Sequence, residues 1–329
     1  MSVAPGSFRS EDIRTVAIIG AGLIGGSWAA FFLSRGLKVR VYDPDVSGEP
    51  RLREVVDNAL ADLAQLGPIH RPDPGDLLFS GDLQVVLEGC DYVQENAPEK
   101  LPLKQELLRD ICRLTAADVV IGSSTSSFRP GELQEESGAD AQRILVAHPF
   151  NPPHLLPLVE LVAGPRTSSL AQDAAWRFFE RLGKAPIRII REAPGHVANR
   201  MTAALWREAV SIVAEGIASV EDVDRAIRYG PGLRWAVDGP HMLYHLGGGP
   251  GGIEAYLRHL APAQEARWKT LGTPVLDEQT CAKIIEGVED EAAGRSIEAL
   301  AARRDRLLIA ILKTLDANGA GGASNDRHA

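Results

Sequence analysis

The chain has 329 residues, enough for two domains at roughly 150 residues each. With 45% hydrophobic and 24% charged residues it is far from the composition of disordered chains, and a net charge of −9 offers a phosphate backbone or an anionic membrane no electrostatic partner. Cys90, Cys112 and Cys281 are far apart and free of CxxC spacing, so neither a disulfide framework nor a metal site is expected and the thiols suit a reducing cytoplasm.

The start MSVAPGSFRSEDIR has no apolar core segment, and no run reaches the roughly 18 apolar residues of a membrane span, so a cytoplasmic protein is expected. Beyond a polar arm at 1–12, expected to be flexible, IRTVAII at 13–19 is a β-branched run that stops at glycine, as buried parallel strands do. LIGGSWAAFFLSR at 23–35 has the length and apolar spread of a helix packed on a sheet, with Gly36 where it would end. KVRVYD at 38–43 is a second strand, followed by a helix at 49–66, a strand YVQEN, a helix at 101–114 and a strand at 118–124. This βα alternation predicts an α/β, Rossmann-type, mostly parallel sheet with helices on both faces. Strands at 143–148, 157–163 and 186–190 complete a domain over 13–192, joined partly by turns too short for helices.

From Pro194 to about residue 317 only helical periodicity is found, as in 197–214, 220–228 and 296–315. This predicts an all-α C-terminal domain over 193–317, with Pro194 in the first turn of its long first helix. The Gly-rich tail 318–329 is expected to be disordered.

Gly20-Ala21-Gly22-Leu23-Ile24-Gly25 matches GxGxxG between a strand and a helix. In that setting Gly20 permits the tight turn, Gly22 a close approach of a pyrophosphate and Gly25 close helix packing, while Leu23 and Ile24 open the helix whose N–H groups face the phosphates. Asp43 ends the second strand 23 residues past Gly20, where its carboxylate meets both adenosine ribose hydroxyls and disfavours a 2′-phosphate. The cofactor expected is NAD.

His148 ends a predicted strand, and the rigid turn Pro149-Phe150-Asn151-Pro152-Pro153 leads into the apolar run carrying Glu160. A histidine at the carboxyl end of a sheet strand, beside an acid reached through a fixed turn, suits a base oriented by a carboxylate. A lone histidine is more often a satisfied structural side chain, and that role is expected of His154.

GAGLIG, SSTSS at 123–127, HPFNP at 148–152 with Glu160 beyond, and PGHVANR at 194–200 together resemble the 3-hydroxyacyl-CoA dehydrogenase superfamily, from about residue 13 to 316. The resemblance implies a catalytic pair of His148 and Glu160, with Ser126 and Asn199 holding the substrate oxygen. It further implies cofactor contacts from Glu99, Lys104 and Asn151, and a homodimer formed through the helical domain. Glu99 and Lys104 would otherwise be read as a solvated charge pair.

Acyl-CoA enzymes of this kind carry lysines on the helix after the second strand, whereas residues 54–70 here contain no Lys or Arg, although Arg51 and Arg53 lie just before. The stretches 229–253 and 294–312 are similar to the L-carnitine dehydrogenase branch, which implies oxidation of L-carnitine to 3-dehydrocarnitine. For its quaternary ammonium, Phe150, Trp235, Tyr244 and Trp206 are candidate aromatic faces, Trp206 fitting a structural role better. The branch carries PGFIADR where this chain has PGHVANR, so His196 replaces an aromatic and Asn199 an acid, and Asp238 adds a charge. Another small 3-hydroxy acid, a 3-hydroxyacyl-CoA or acyl-carrier substrate, and a non-catalytic NAD-binding role on the same scaffold are the alternatives.

Overall fold

The computed structural model describes residues 8–319. Eight strands form one sheet in the order β3-β2-β1-β4-β5-β6-β7-β8. The strand-bearing part of the chain begins with β1 (Thr15–Ile19), α1 (Leu23–Ser34), β2 (Lys38–Tyr42), α2 (Glu49–Leu66), β3 (Leu77–Ser80), α3 (Leu83–Leu87) and β4 (Tyr92–Glu95). It continues through α4 (Leu101–Leu114), β5 (Val120–Ser123), α5 (Pro130–Leu133), β6 (Ile144–Pro149), β7 (Leu158–Ala163), α6 (Ser169–Arg181) and β8 (Ala185–Ile189). Every neighbouring pair is parallel except β6 and β7, which are antiparallel and joined by the HPFNP turn. The order reverses direction between β1 and β4, the switch point at which such sheets open a crevice beyond the strand carboxyl ends.

Helix α1 is apolar on all sides, and every residue from Gly25 to Ser34 is buried. It carries Trp28, Phe31 and Phe32 into a cluster with Tyr92 of β4 and Phe178 and Phe179 of α6. Trp28 stacks on Phe32 at 5.2 Å, and Tyr92 lies 4.6 Å from Phe178. On the opposite face Ala17, Val93, Ile121 and Val146 of the strands meet Leu108 and Ile111 of α4. The central strands are thus covered on both faces, which is why they read as continuous apolar runs.

The helical remainder comprises α7 (Ala198–Ala214), α8 (Val220–Tyr229), α9 (Pro231–Trp235), α10 (Pro240–Gly247), α11 (Gly252–Trp268), α12 (Glu278–Ala292) and α13 (Ile297–Ala317). Two compact units emerge: Met201–Arg304 is one, and the other holds the sheet, 8–200, together with 305–319. None of the described helices is long and apolar enough to cross a membrane.

Several sequence expectations need correction. Strand β3 was not foreseen: LLFS is only four residues, flanked by Pro and Gly, and pairs at the sheet edge with β2. Helix α6 was also missed; Ser168 caps it, its side chain accepting from Ala171 N, and Ala171, Ala174, Ala175, Phe178 and Phe179 form its buried stripe. Pro194 stands before α7 and not in its first turn. Residues 8–12 of the expected flexible arm are tied down, Arg9 pairing with Asp91 and with Asp118 at 2.7 Å while Phe8 packs on the core. Asn318 and Gly319 close α13 with a turn; the rest of the arm and tail, 1–7 and 320–329, lies outside the described residues.

Candidate active site

The glycine turn follows β1 at the switch point. Gly20 has φ +103°, and a Cβ there would lie 2.6 Å from the Asn96 carbonyl oxygen; one on Gly25 would lie 2.0 Å from that of Gly20. Those two glycines are demanded by the protein's own packing. Around Gly22 nothing lies within 4 Å of such a Cβ, so the space is open above the start of α1, where Gly22 is the N-cap and supplies no side-chain cap. Uncapped helix N–H groups behind an open glycine fit a pyrophosphate. Leu23 and Ile24 form the first turn of α1. Asp43, just past β2, accepts from Ala21 N at 2.9 Å through Oδ2 and from Asp45 N at 3.0 Å through Oδ1. It braces the turn, and each oxygen keeps a lone pair for a ribose hydroxyl.

The ends of β4 and β5 form a second cluster. In register Glu95 lies opposite Ser123, whose hydroxyl donates to Glu95 Oε2. Lys104 of α4, 1% exposed, donates to Glu95 Oε1 at 2.8 Å and the Ala97 carbonyl at 2.9 Å, and its Nζ lies 3.3 Å from Glu99 Oε2. Held by these partners, Lys104 shapes this loop from inside. Glu99 Oε1 accepts from the Thr125 hydroxyl and from the backbone N–H groups of Ser126 and Ser127 at 3.1 and 3.0 Å. Burial pushes the Glu99 carboxyl up, but the Thr125 hydroxyl and the Lys104 charge outweigh it and hold it below its ordinary value. The loop carrying Ser126 is thereby fixed in place.

The third cluster is set by the antiparallel pairing of β6 and β7, which places His148 directly opposite Glu160. His148 Nδ1 lies 2.9 Å from Glu160 Oε2. Glu160 Oε1 accepts from the backbone N–H groups of Val197 and Ala198, at 2.8 and 2.9 Å, where α7 begins. Glu160 is fully buried and His148 is 6% exposed. Burial raises the Glu160 carboxyl, yet the bonds from His148, Ala198 and Val197 prevail and keep it ionised below its ordinary 4.5. A carboxylate only accepts, so Nδ1 carries the hydrogen, and in the neutral ring the lone pair is on Nε2.

A second imidazole lies against the first: the rings of His148 and His196 are 5.1 Å apart, and His196 Nε2 lies 3.0 Å from the Thr125 carbonyl oxygen. His196 is 2% exposed and has φ +51°. Asn199 is the second residue of α7, partly buried, with interactions of its own. Phe150 and Asn151 occupy the turn after β6, where the Asn151–Pro152 peptide is cis. His154 is structural as expected, its Nδ1 lying 2.7 Å from the Ser27 hydroxyl oxygen, which accepts from His154 N at 2.9 Å. Trp235 and Tyr244 end α9 and lie within α10 in the other unit, where Tyr244 packs 4.9 Å from Tyr256. No group of three or more His, Cys, Asp or Glu side chains among the described residues is arranged to hold a metal ion.

His148, Glu160, Ser126, Asn199 and Glu99 thus all lie on one unit, with hydrogen bonds joining His148 to Glu160 and the Ser126 backbone to Glu99. Sequence reasoning passed over Glu95, Ser123 and Thr125 and saw His196 only as a departure from a pattern. An acid ending a buried strand, in YVQEN, was the available signal for Glu95.

Comparison with known proteins agrees with this layout. Residues 15–193 match the family "3-hydroxyacyl-CoA dehydrogenase, NAD binding domain", and residues 195–284 match "3-hydroxyacyl-CoA dehydrogenase, C-terminal domain". The chain belongs to the 3-hydroxyacyl-CoA dehydrogenase family and is an NAD-dependent oxidoreductase acting on CH–OH groups. Within that class it is 44% identical to an L-carnitine dehydrogenase of Streptomyces coelicolor, over 92% of this chain and 95% of the relative. An L-carnitine dehydrogenase of Streptomyces griseus is 45% identical, over 92% and 90%. Among solved structures, an NAD-dependent dismutase, 5-formyl-3-hydroxy-2-methylpyridine 4-carboxylic acid 5-dehydrogenase, superposes with a TM-score of 0.76 at 27% identity, covering 92% of this chain and 99% of that one.

Proposed function

We propose that the chain oxidises the 3-hydroxyl of a small, CoA-free 3-hydroxy acid, L-carnitine being the leading candidate, with His148 and Glu160 as the catalytic pair. The observation that carries this reading is the 2.9 Å bond between His148 Nδ1 and Glu160 Oε2, with Glu160 held in turn by the first N–H groups of α7. The bond directs Nε2 away from the acid as a base. His148 Nε2 takes the proton of the substrate hydroxyl, and the Glu160 carboxylate stabilises the imidazolium that forms. When bound, NAD supplies the acceptor for the hydride leaving the same carbon. Gly20, Gly22, Leu23, Ile24, Gly25, Asp43, Glu99 and Asn151 would hold that cofactor, with Lys104 acting through Glu99. Ser126 and Asn199 hold the substrate oxygen.

Two features support an acid without CoA. Residues 54–70 contain no Lys or Arg, and Arg53, just before them, is paired with Glu49 at 2.6 Å. The relatives at 44 and 45% identity are L-carnitine dehydrogenases. Phe150, in the turn that follows His148, is the aromatic face we assign to the trimethylammonium group. NADH formation, followed by absorbance with L-carnitine, L-gulonate, 3-hydroxybutyrate and 3-hydroxybutyryl-CoA, tests the assignment. Turnover of a free acid well above the thioester is expected, and preference for the thioester would overturn it.

A further inference from the structure

The mechanism above makes no use of His196, yet this side chain joins three of its parts. Its ring packs 5.1 Å from that of His148. Its Nε2–H donates to the carbonyl of Thr125, the residue before Ser126. Its own backbone, in the left-handed region at φ +51°, turns the chain so that the next two N–H groups reach Glu160. Histidine is among the non-glycine residues that accept this region.

Packing alone does not account for an imidazole here. The Thr125 carbonyl can only accept, so Nε2 carries the hydrogen and neutral His196 has a bare lone pair on Nδ1. Nδ1 is buried and has no hydrogen-bond partner among the described residues. An unpaired buried acceptor costs more than one neutral hydrogen bond returns, so an apolar ring would fill this space at lower cost. The compensation is geometrical. Glu99 anchors the Ser126 loop from the β4 side, and His196 ties the same loop to the start of α7.

We propose that His196 is a positioning residue, a latch that sets the Ser126 loop against the His148–Glu160 pair. The inference rests on the reading of the site given above. The latch is tested with His196→Phe, which keeps a ring without a donor, and His196→Gln, whose amide can restore an N–H near the position of Nε2. His196→Phe should lower kcat about tenfold to a hundredfold, because small misplacements of catalytic groups carry penalties of that order, and leave the Kd for NAD unchanged. His196→Gln should recover most of the loss. In a Ser126→Ala background His196→Phe should add little further loss, since a latch acting through that loop is not additive with it.

Amide hydrogen exchange supplies a readout independent of turnover: residues 124–128 should exchange faster in His196→Phe and at the wild-type rate in His196→Gln. If phenylalanine is not accepted at φ +51°, asparagine, favoured in that region and too short to span to Thr125, takes its place in every arm. Wild-type kcat in the donor-free variant, equal losses in both variants, or full additivity with Ser126→Ala would each overturn the latch. Absence of wild-type turnover on every hydroxy acid would instead count against the reading of the site, and the exchange at 124–128 would still decide the role of His196.

Discussion

At the scale of single residues, the strand opposite decides which nitrogen of His148 is left free. Because Glu160 takes the hydrogen on His148 Nδ1, the lone pair of the neutral ring is on Nε2, and the base we propose needs no tautomeric adjustment before it works. His148→Ala should lower kcat by about 10²–10⁴-fold while the Kd for NAD, measured by cofactor fluorescence, stays unchanged. Glu160→Gln keeps an acceptor for the α7 N–H groups but removes the charge facing the imidazolium. Its loss should fall in kcat, again with NAD binding intact; weakened NAD binding in either variant would contradict the assigned roles.

Two buried groups of this site also tie stability to pH, and both act in the same direction. Burial, helped by the neighbouring His148, lowers the proton affinity of His196 below its ordinary value of 6.5 despite the bond to Thr125. Between that lowered value and 6.5 the unfolded chain binds a proton that the folded one refuses, so stability rises with pH across the window. The contribution is complete above 6.5 and is lost as the pH falls through the native value. Glu160 acts likewise further down: its contribution is present above 4.5 and lost as the pH falls through its lower native value. Urea midpoints should therefore fall from about pH 7 to pH 5 in the wild type and less steeply in His196→Asn. Parallel curves would show that His196 is not held neutral by burial.

Among the elements, α4 shows how a helix end is secured by a residue far along the chain. Arg143, buried just before β6, donates to the Cys112 carbonyl at 2.6 Å, the Ala116 carbonyl at 2.7 Å and the Thr115 hydroxyl at 2.9 Å. Its positive charge sits where the helix dipole is negative and the last carbonyls lack partners. Arg143→Met should cost about 1–3 kcal/mol, seen as a lower urea midpoint at unchanged slope, because the Cys112 carbonyl is left buried without a donor. A loss under about 0.5 kcal/mol, the range of ordinary surface changes, would show that water replaces the guanidinium.

Elements whose pattern is local were legible in the sequence; those fixed by distant partners were not. The span 49–66 of α2 and 101–114 of α4 follow from periodicity and the turn residues around them. The glycine turn was readable because each of its glycines answers a steric demand within the turn or an open approach. Strand β3 needs β2 beside it to be a strand at all, and the partners of Arg143 or Lys104 follow from sheet order, which no local window contains. For the same reason Lys104 and Glu99 could be named together, while the bonds of Lys104 to Glu95 and the Ala97 carbonyl could not.

At the scale of the molecule, the unit Met201–Arg304 presents a surface unlike that of the sheet unit. Trp268 is 65% exposed and Val275 71%, and Tyr229, Leu233, Met242 and Leu276 are exposed as well. Large apolar side chains exposed in such number on one unit suit a surface covered by other protein. We propose that a second copy of the chain covers them, forming a homodimer as the family resemblance implies. Light scattering should give twice the chain mass of 35.4 kDa, and Trp268→Asp should shift the protein toward the single-chain value. A wild-type mass of one chain would refute the dimer.

Glu160 divides its two oxygens between the base and the opening of α7. A proton arriving on that one carboxylate would release the imidazole and, in the same event, unfasten the opening of α7. Acid should therefore silence the enzyme and expose the 193–198 backbone to proteases along one titration curve, the chemistry and the backbone failing together.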